Sequence, residues 1–358
     1  MFTNQIIIHF FIFFISILFF SLFINSVLLK FSVNLGVRQH DANVIRWTKI
    51  TKPSIGGFAF YISFLISFLF YMIYFNQTEL ISNVEYIGIL TVTSIAFLMG
   101  LADDAYNTNP LLKFLVQLIC GVILIHTDNM IQITPWYGFN YCITLFWIVG
   151  IMNSINMLDN MDAATTLTAI MISITSLIYL FSVKSLGSFY TVIIVGLLAS
   201  LFAFLYYNWH PSKMYMGDTG SQFLGIILAI LGIRLLWNGT DVYHVPVQTK
   251  QFLSVLLVFI VPIADTTTVF INRILKGRSP FVGGKDHTTH HLVYLGLKLT
   301  HAVSLLGIIS LVSGLYMVFG IQQQEAWGWI NITIAVVYYL MVTVGLYLTT
   351  RIKNIQPN

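Results

Sequence analysis

The chain has 358 residues, 57% of them hydrophobic and only 8% charged, with a mean hydropathy of +0.84. That composition excludes a water-soluble domain, and a net charge of +4 carries no nucleic-acid signal. The two cysteines, Cys120 and Cys142, offer neither a disulfide framework nor metal-ligand spacing.

Runs of about 20 apolar residues, each enough to cross a hydrocarbon core roughly 30 Å thick, recur along the chain. Eleven spans are predicted, at about 5–29, 55–75, 85–101, 110–126, 138–153, 163–183, 188–207, 220–237, 251–271, 301–320 and 327–349. Ten is the alternative count, because the fifth is short. Helices satisfy their own backbone in lipid, so the expectation is an all-α polytopic membrane protein, one multi-pass domain over residues 1–358. The first span has no basic residue before it and no small-residue cleavage site, which reads as a retained span rather than a signal peptide.

Charge sets the expected orientation. Lys30, Arg38, Arg46, Lys49 and Lys52 follow the first span, placing the N-terminus outside and the first loop in the cytoplasm. With eleven spans, fourteen of the seventeen Lys and Arg fall on the cytoplasmic side, and the C-terminus joins them. The exceptions are Lys184, Arg234 and Lys250. Eight of the thirteen acidic residues also gather on that side: Asp41, Asp103, Asp104, Asp159, Asp162, Asp218, Asp265 and Asp286. Carboxylates collected at one membrane face beside Lys, Arg and His point to a site in the cytoplasmic loops that holds metal and phosphate.

The motifs along that face are read in chain order. In TKPSIGG, Gly56 and Gly57 suit tight helix packing, and Lys49 or Lys52 either anchors the helix or reaches a diphosphate. In GLADDAYNTNP, Asn109 or Thr108 caps the fourth span with Pro110 in its first turn, which leaves Asp103 and Asp104 unexplained. Adjacent carboxylates at a bilayer edge need a cation or a chemical task. In NSINMLDNMDAAT, Asn153, Asn156, Asp159 and Asp162 recur every three residues. On a helix they spread over about half the circumference, whereas a partly unwound segment would let them converge on one ligand. In MGDTGS, Asp218 is either a helix cap or one of the one or two carboxylates that Mg²⁺ takes beside substrate phosphates. The loop NRILKGRSPFVGGKDHTTHH brings Arg273, Lys276, Arg278 and Lys285 together with His287, His290 and His291. Its H-x-x-H spacing alone is a weak zinc signal.

Taken in order, ADD, NxxNxLDNMDA, MGDTGSxFLG, PxxDTT, RxxxGRSPF and the histidine loop resemble the polyprenyl-phosphate N-acetylhexosamine-1-phosphate transferases of glycosyltransferase family 4, over about residues 52–296. The GRSPF loop and the span count resemble the branch using UDP-N-acetylglucosamine more than the branch using UDP-N-acetylmuramoyl-pentapeptide. The resemblance implies a Mg²⁺-dependent transfer, with Mn²⁺ as the substitute ion, of a sugar 1-phosphate from a UDP-sugar to a polyprenyl phosphate, with release of UMP. It implies a multi-pass protein of the plasma membrane, and homodimers are common among such proteins.

By the same resemblance, Asp103 or Asp104 acts as base or nucleophile, with His290 as a further catalytic group. Asp218 and Asn156 hold the metal, while Lys52, Asn153, Asp159, Asp162, Arg278 and His291 bind substrate. The chain departs from the family pattern at Asn160 and Ala163, where glycines are usual, and in a histidine motif one residue wider. Asn160 tolerates positive φ and Ala163 tolerates it less. The rival classes are an ion-coupled transporter, which needs carboxylates near the membrane midplane, and a catalytically silent binding protein.

Overall fold

The computed structural model describes residues 2–32, 52–77, 80, 82–279 and 284–352. Arg38, Asp41, Arg46, Lys49 and the Pro280–Phe281 pair of GRSPF lie outside them. The helices are α1 (Phe2–Ser32), α2 (Gly57–Tyr74), α3 (Val84–Tyr106), α4 (Pro110–His126), α5 (Tyr137–Leu158), α6 (Ala164–Ser182), α7 (Phe189–Asn208), α8 (Gly217–Leu231), α9 (Gln248–Val258), α10 (Ile260–Leu275), α11 (Thr288–Tyr294), α12 (Leu299–Leu315) and α13 (Trp329–Thr349). Wider π turns prolong α8 through Trp237 and α12 through Gln322.

Among the described residues, nine helices are long and apolar enough to cross a membrane, ten if α9 and α10, bent by 73°, make one span. The short α4 is the eleventh apolar helix, so the weak member of the predicted set is the fourth, not the fifth. Asn109 caps α4 by accepting from the Leu111 amide at 2.9 Å, with Pro110 at its first position.

Helix ends differ from the prediction where it matters. α3 runs on to Tyr106 and carries both Asp103 and Asp104; α5 runs on to Leu158 and carries Asn153 and Asn156; α8 opens with Asp218 in its first turn. These residues therefore project from terminal turns of rigid helices instead of loops. α8 is the hub, its residues from Thr219 to Leu231 all buried against α2, α3 and α5. Close approach depends on missing side chains. A Cβ on Gly57 would lie 2.4 Å from the Gly220 nitrogen, and one on Gly100 would lie 2.3 Å from the Asp218 carbonyl oxygen. The segment before α2 pairs with the one before α8, through a bridge between Ser54 and Tyr215 and a hydrogen bond donated by the Tyr215 amide to the Pro53 carbonyl. That pairing carries Lys52 to the site end of the bundle.

Candidate active site

The end of the bundle formed by the last turn of α3 and the first turns of α4 and α8 holds two carboxylates around one lysine, with a third, Asp104, set against α8. Lys113, three residues into α4, donates to Asp103 Oδ2 at 2.8 Å and to Asp218 Oδ1 at 2.6 Å. Its ammonium also lies 3.5 Å from Asn156 Oδ1. Asn156 Nδ2 donates to Asp218 Oδ1 at 2.6 Å and to Ser221 Oγ at 2.8 Å. Asp103 Oδ1 accepts from the Thr108 amide and hydroxyl at 2.8 and 2.6 Å, so Thr108 steadies Asp103 while Asn109 does the capping. Lys113, Asp103 and Asp218 are each partly accessible, at 15%, 12% and 33%, so the cluster opens outward.

The two adjacent aspartates diverge in role. Asp104 accepts the amides of Asp218 and Thr219, at 3.0 and 2.8 Å, and the Thr219 hydroxyl at 2.6 Å. It caps the N-terminus of α8 from a neighbouring helix, where exposed amides and the helix dipole favour an anion. Gly217, at φ +72°, leaves the room for it: a Cβ there would stand 2.6 Å from Asp104 Oδ2. Asp103 keeps the outward position beside Lys113.

One turn deeper lies a second, uncharged layer. Asn153 Nδ2 donates to Gln117 Oε1 at 2.7 Å, and Gln117 Nε2 donates to Gln222 Oε1 at 3.0 Å. Gln117 follows Lys113 by four residues, Gln222 follows Asp218 by four, and Asn153 precedes Asn156 by three, so each amide sits under its partner on the same helix face. Asn153 is thus directed into the helix contact rather than the charged layer.

Asp162 belongs to a separate cluster. Ser212 donates to it through amide and hydroxyl at 3.1 and 2.7 Å, and His210 Nδ1 at 2.8 Å. Lys52 lies 3.7 Å away and donates to Ser212 Oγ at 2.8 Å. Burial pushes the Asp162 carboxyl up, but Ser212, His210 and Lys52 together outweigh it and hold it below the ordinary range. The Asn153–Asp162 series therefore does not converge on one ligand: Asn156 faces Asp218, Asn153 faces Gln117 and Asp162 faces the 210–212 turn. Asp159 is the half-buried residue at the end of α5. Ala163, not Asn160, takes the left-handed backbone, at φ +64°, and donates its amide to Asn208.

The histidine loop folds as the short α11. His290 is buried, and burial pushes its pKa down to about 3. It stays neutral near pH 7 and can exchange hydrogen bonds but cannot offset phosphate charge. His291 is half-buried and also lowered, by burial and then Lys276. Arg278 is exposed at the edge of the described residues. Thr289 Oγ1 donates to Asn160 Oδ1 at 2.7 Å, which ties α11 to the turn after α5.

The residues around Lys113 fit a hard divalent cation. Two carboxylate oxygens and one amide oxygen converge on a point already held by positive charge, and Mg²⁺ takes few protein oxygens beside substrate phosphates. Among the described residues no group of three or more His, Cys, Asp or Glu is placed for a metal, so such an ion would complete its shell from substrate. Sequence reading missed Lys113, Gln117 and Gln222. The available signal was a lysine and a glutamine four residues apart on one face of an apolar helix, where polar side chains are costly.

An all-helical bundle with this site defines a polytopic membrane protein whose polar chemistry is concentrated at one end. The family model for glycosyl transferase family 4 matches residues 86–236, which include Asp103, Lys113, Asn156 and Asp218. A probable undecaprenyl-phosphate N-acetylglucosaminyl 1-phosphate transferase of Bacillus subtilis (strain 168) is 28% identical over 336 residues, covering 90% of this chain and 87% of that protein. A decaprenyl-phosphate N-acetylglucosaminephosphotransferase of Mycobacterium leprae (strain TN) is 28% identical, covering 72% of this chain and 69% of its own. A phospho-N-acetylmuramoyl-pentapeptide-transferase of Staphylococcus saprophyticus is 29% identical, covering 75% and 84% respectively. Over residues 86–236 the chain is thus similar to glycosyl transferase family 4, and these relatives extend the similarity over most of its length.

Proposed function

We propose that this protein transfers a sugar 1-phosphate from a UDP-sugar to a polyprenyl phosphate and releases UMP, with UDP-N-acetylglucosamine as the donor and the site end of the bundle in the cytoplasm. The observation that carries this reading is the Lys113 ammonium held between Asp103 and Asp218. Phosphoryl transfer between two anions needs charge neutralised far more than it needs bonds made by the protein. The second pKa of a phosphate monoester is about 6, so the acceptor is largely ionised at neutral pH and needs little help from a base. Asp103, which is outward and partly accessible, is the better placed of the pair to meet the acceptor, while Asp104 fixes the start of α8.

Asp218 and Asn156 would hold Mg²⁺, with Asp103 at its edge; when bound, the ion neutralises the donor diphosphate. Lys113 would then turn from carboxylates toward phosphate oxygens, keeping a cation beside the reacting groups. Lys52 and Asp162 support the site by fixing the turn that leads into α8. The preference for UDP-N-acetylglucosamine is supported by the Bacillus relative, which spans more of this chain than the pentapeptide transferase does.

The test is UMP release by the purified protein with undecaprenyl phosphate, UDP-N-acetylglucosamine and Mg²⁺. Release is expected, abolished by EDTA and by Asp218→Ala. No release with this donor, nor with UDP-N-acetylgalactosamine or UDP-N-acetylmuramoyl-pentapeptide, would overturn the reading.

A further inference from the structure

One buried carboxylate near the site has no part in the chemistry above. Asp265, in α10, is 1% exposed. Its Oδ1 accepts the Thr288 amide at 2.8 Å and the Thr288 hydroxyl at 2.6 Å, and His287 Nδ1 stands 2.8 Å from its Oδ2. A carboxylate at this depth is tolerated only when its oxygens are fully hydrogen-bonded. Helix capping explains the two bonds from Thr288, because His287 occupies the cap position of α11 and makes no side-chain cap bond of its own. Capping does not explain the third bond, since a cap requires no imidazole.

The neighbours of His287 are pinned as well. Arg273 grips Asp286 with two bonds, Nε to Oδ2 at 2.8 Å and a terminal nitrogen to Oδ1 at 2.7 Å. Asp265 holds Thr288 on the other side. The bond from Thr289 to Asn160 attaches the same segment to the turn four residues beyond Asn156. Leu158, at the end of α5, packs with Ile260, Val261, Ala264 and Leu292, so α5, α10 and α11 meet as one body. The imidazole is held by Asp265, and the residues on either side of it are held by Arg273, Asp265 and Asn160.

A carboxylate accepts, so the ring nitrogen facing Asp265 carries the hydrogen and the opposite nitrogen of the neutral ring is a bare acceptor. We propose that Asp265 is a positioning residue for the transfer reaction: it locks His287 in the Nδ1–H form and leaves Nε2 as an acceptor for a hydrogen-bond donor of the bound reactants. This inference rests on the proposed sugar-phosphate transfer.

The test uses the full-length protein in lipid nanodiscs. Asp265→Asn offers an amide N–H toward the ring and inverts the tautomer preference. It is expected to lower kcat for UMP release roughly 100-fold or more, with KM for the UDP-sugar within about threefold. His287→Ala is expected to do the same, and the double variant to be no slower than His287→Ala alone. Near wild-type kcat in Asp265→Asn, or losses that multiply in the double variant, would overturn the proposal.

A readout independent of turnover is the spectrum of the protein labelled with ¹⁵N-histidine. Among the nine histidines, His210 facing Asp162 and His9 facing the Gln5 carbonyl should also be Nδ1–H, so the diagnostic signal is the Nδ1–H form lost in His287→Ala and inverted in Asp265→Asn. Absence of that signal overturns the positioning role even where transfer is confirmed. Its presence in a protein with no transfer leaves the Asp265–His287 lock standing and removes the reaction instead. Should Asp265→Asn not fold, the wild-type and His287→Ala spectra decide the lock on their own.

Discussion

The two ends of the helix bundle treat charge in opposite ways. At the end away from the site, Glu85 opens α3 and meets Arg234 at 2.6 Å, with the Tyr190 hydroxyl donating to the same Glu85 oxygen. Asp241 and Lys250, both nearly fully buried, pair at 2.8 Å, and Asp241 also accepts the amides of Tyr243 and Val245. Each of these two acids has its own base. At the site end Asp103 and Asp218 share one lysine, and Asp104 relies on backbone amides and the Thr219 hydroxyl. Balanced pairs close a structure. A surplus of carboxylate around one movable ammonium leaves a place where another cation and an anionic substrate complete the balance. Arg234 and Lys250, two of the three exceptions to the predicted charge bias, are bases spent on ion pairs, so they say little about orientation.

The contrast can be broken from either end. The largest effect is expected at the site, where Asp218→Ala should lower UMP release roughly 10³-fold, about 4 kcal/mol of barrier, with little change in thermal stability. Lys113→Met should fall nearly as far. It should also raise the Mg²⁺ concentration needed for half-maximal rate if the ammonium aids phosphate binding, so a metal titration sharpens its role. Lys250→Met should do the reverse. Removing one partner of a buried pair strands the other, so stability should fall by about 3 kcal/mol, measured by thermal unfolding, while kcat per folded molecule holds.

A smaller effect is expected at Asp162. Its folded pKa lies below the unfolded value of about 3.9, so the stability it contributes is fully present above that value and is lost as pH falls through the folded one. Asp162→Asn should therefore cost about 2 kcal/mol at pH 7, and the gap from wild type should narrow below pH 4 in pH-resolved unfolding. The smallest change is expected at Ala163, whose φ of +64° a glycine adopts freely. Ala163→Gly should stabilise by about 0.5–1 kcal/mol, the relief of left-handed strain less the entropy that glycine loses on folding. A destabilised variant would show that the turn, rather than the strain, sets the cost.

Much of the fold was legible because lipid imposes a simple rule on composition. Any segment crossing the membrane must be apolar and helical, so a residue count places the spans without tertiary knowledge. The sequence by itself determined the helical class, the approximate span positions, and Asp103, Asn156 and Asp218 as polar residues that the membrane spans do not explain. Local chemistry likewise determined the Asn109–Pro110 start of α4. What only the tertiary structure decided is which polar group meets which. Asp103 and Asp104 are neighbours in sequence, yet successive residues on a helix point about 100° apart, so one turns outward to Lys113 and the other under α8. Asn153 and Asp162 share a spacing with Asn156 but face other elements. In sequence Lys113 is one base among seventeen, and only the packing of α3, α4 and α8 sets it between Asp103 and Asp218. Contacts more than 100 residues apart, such as that between Lys113 and Asp218, are set by how helices pack, and no local pattern encodes them.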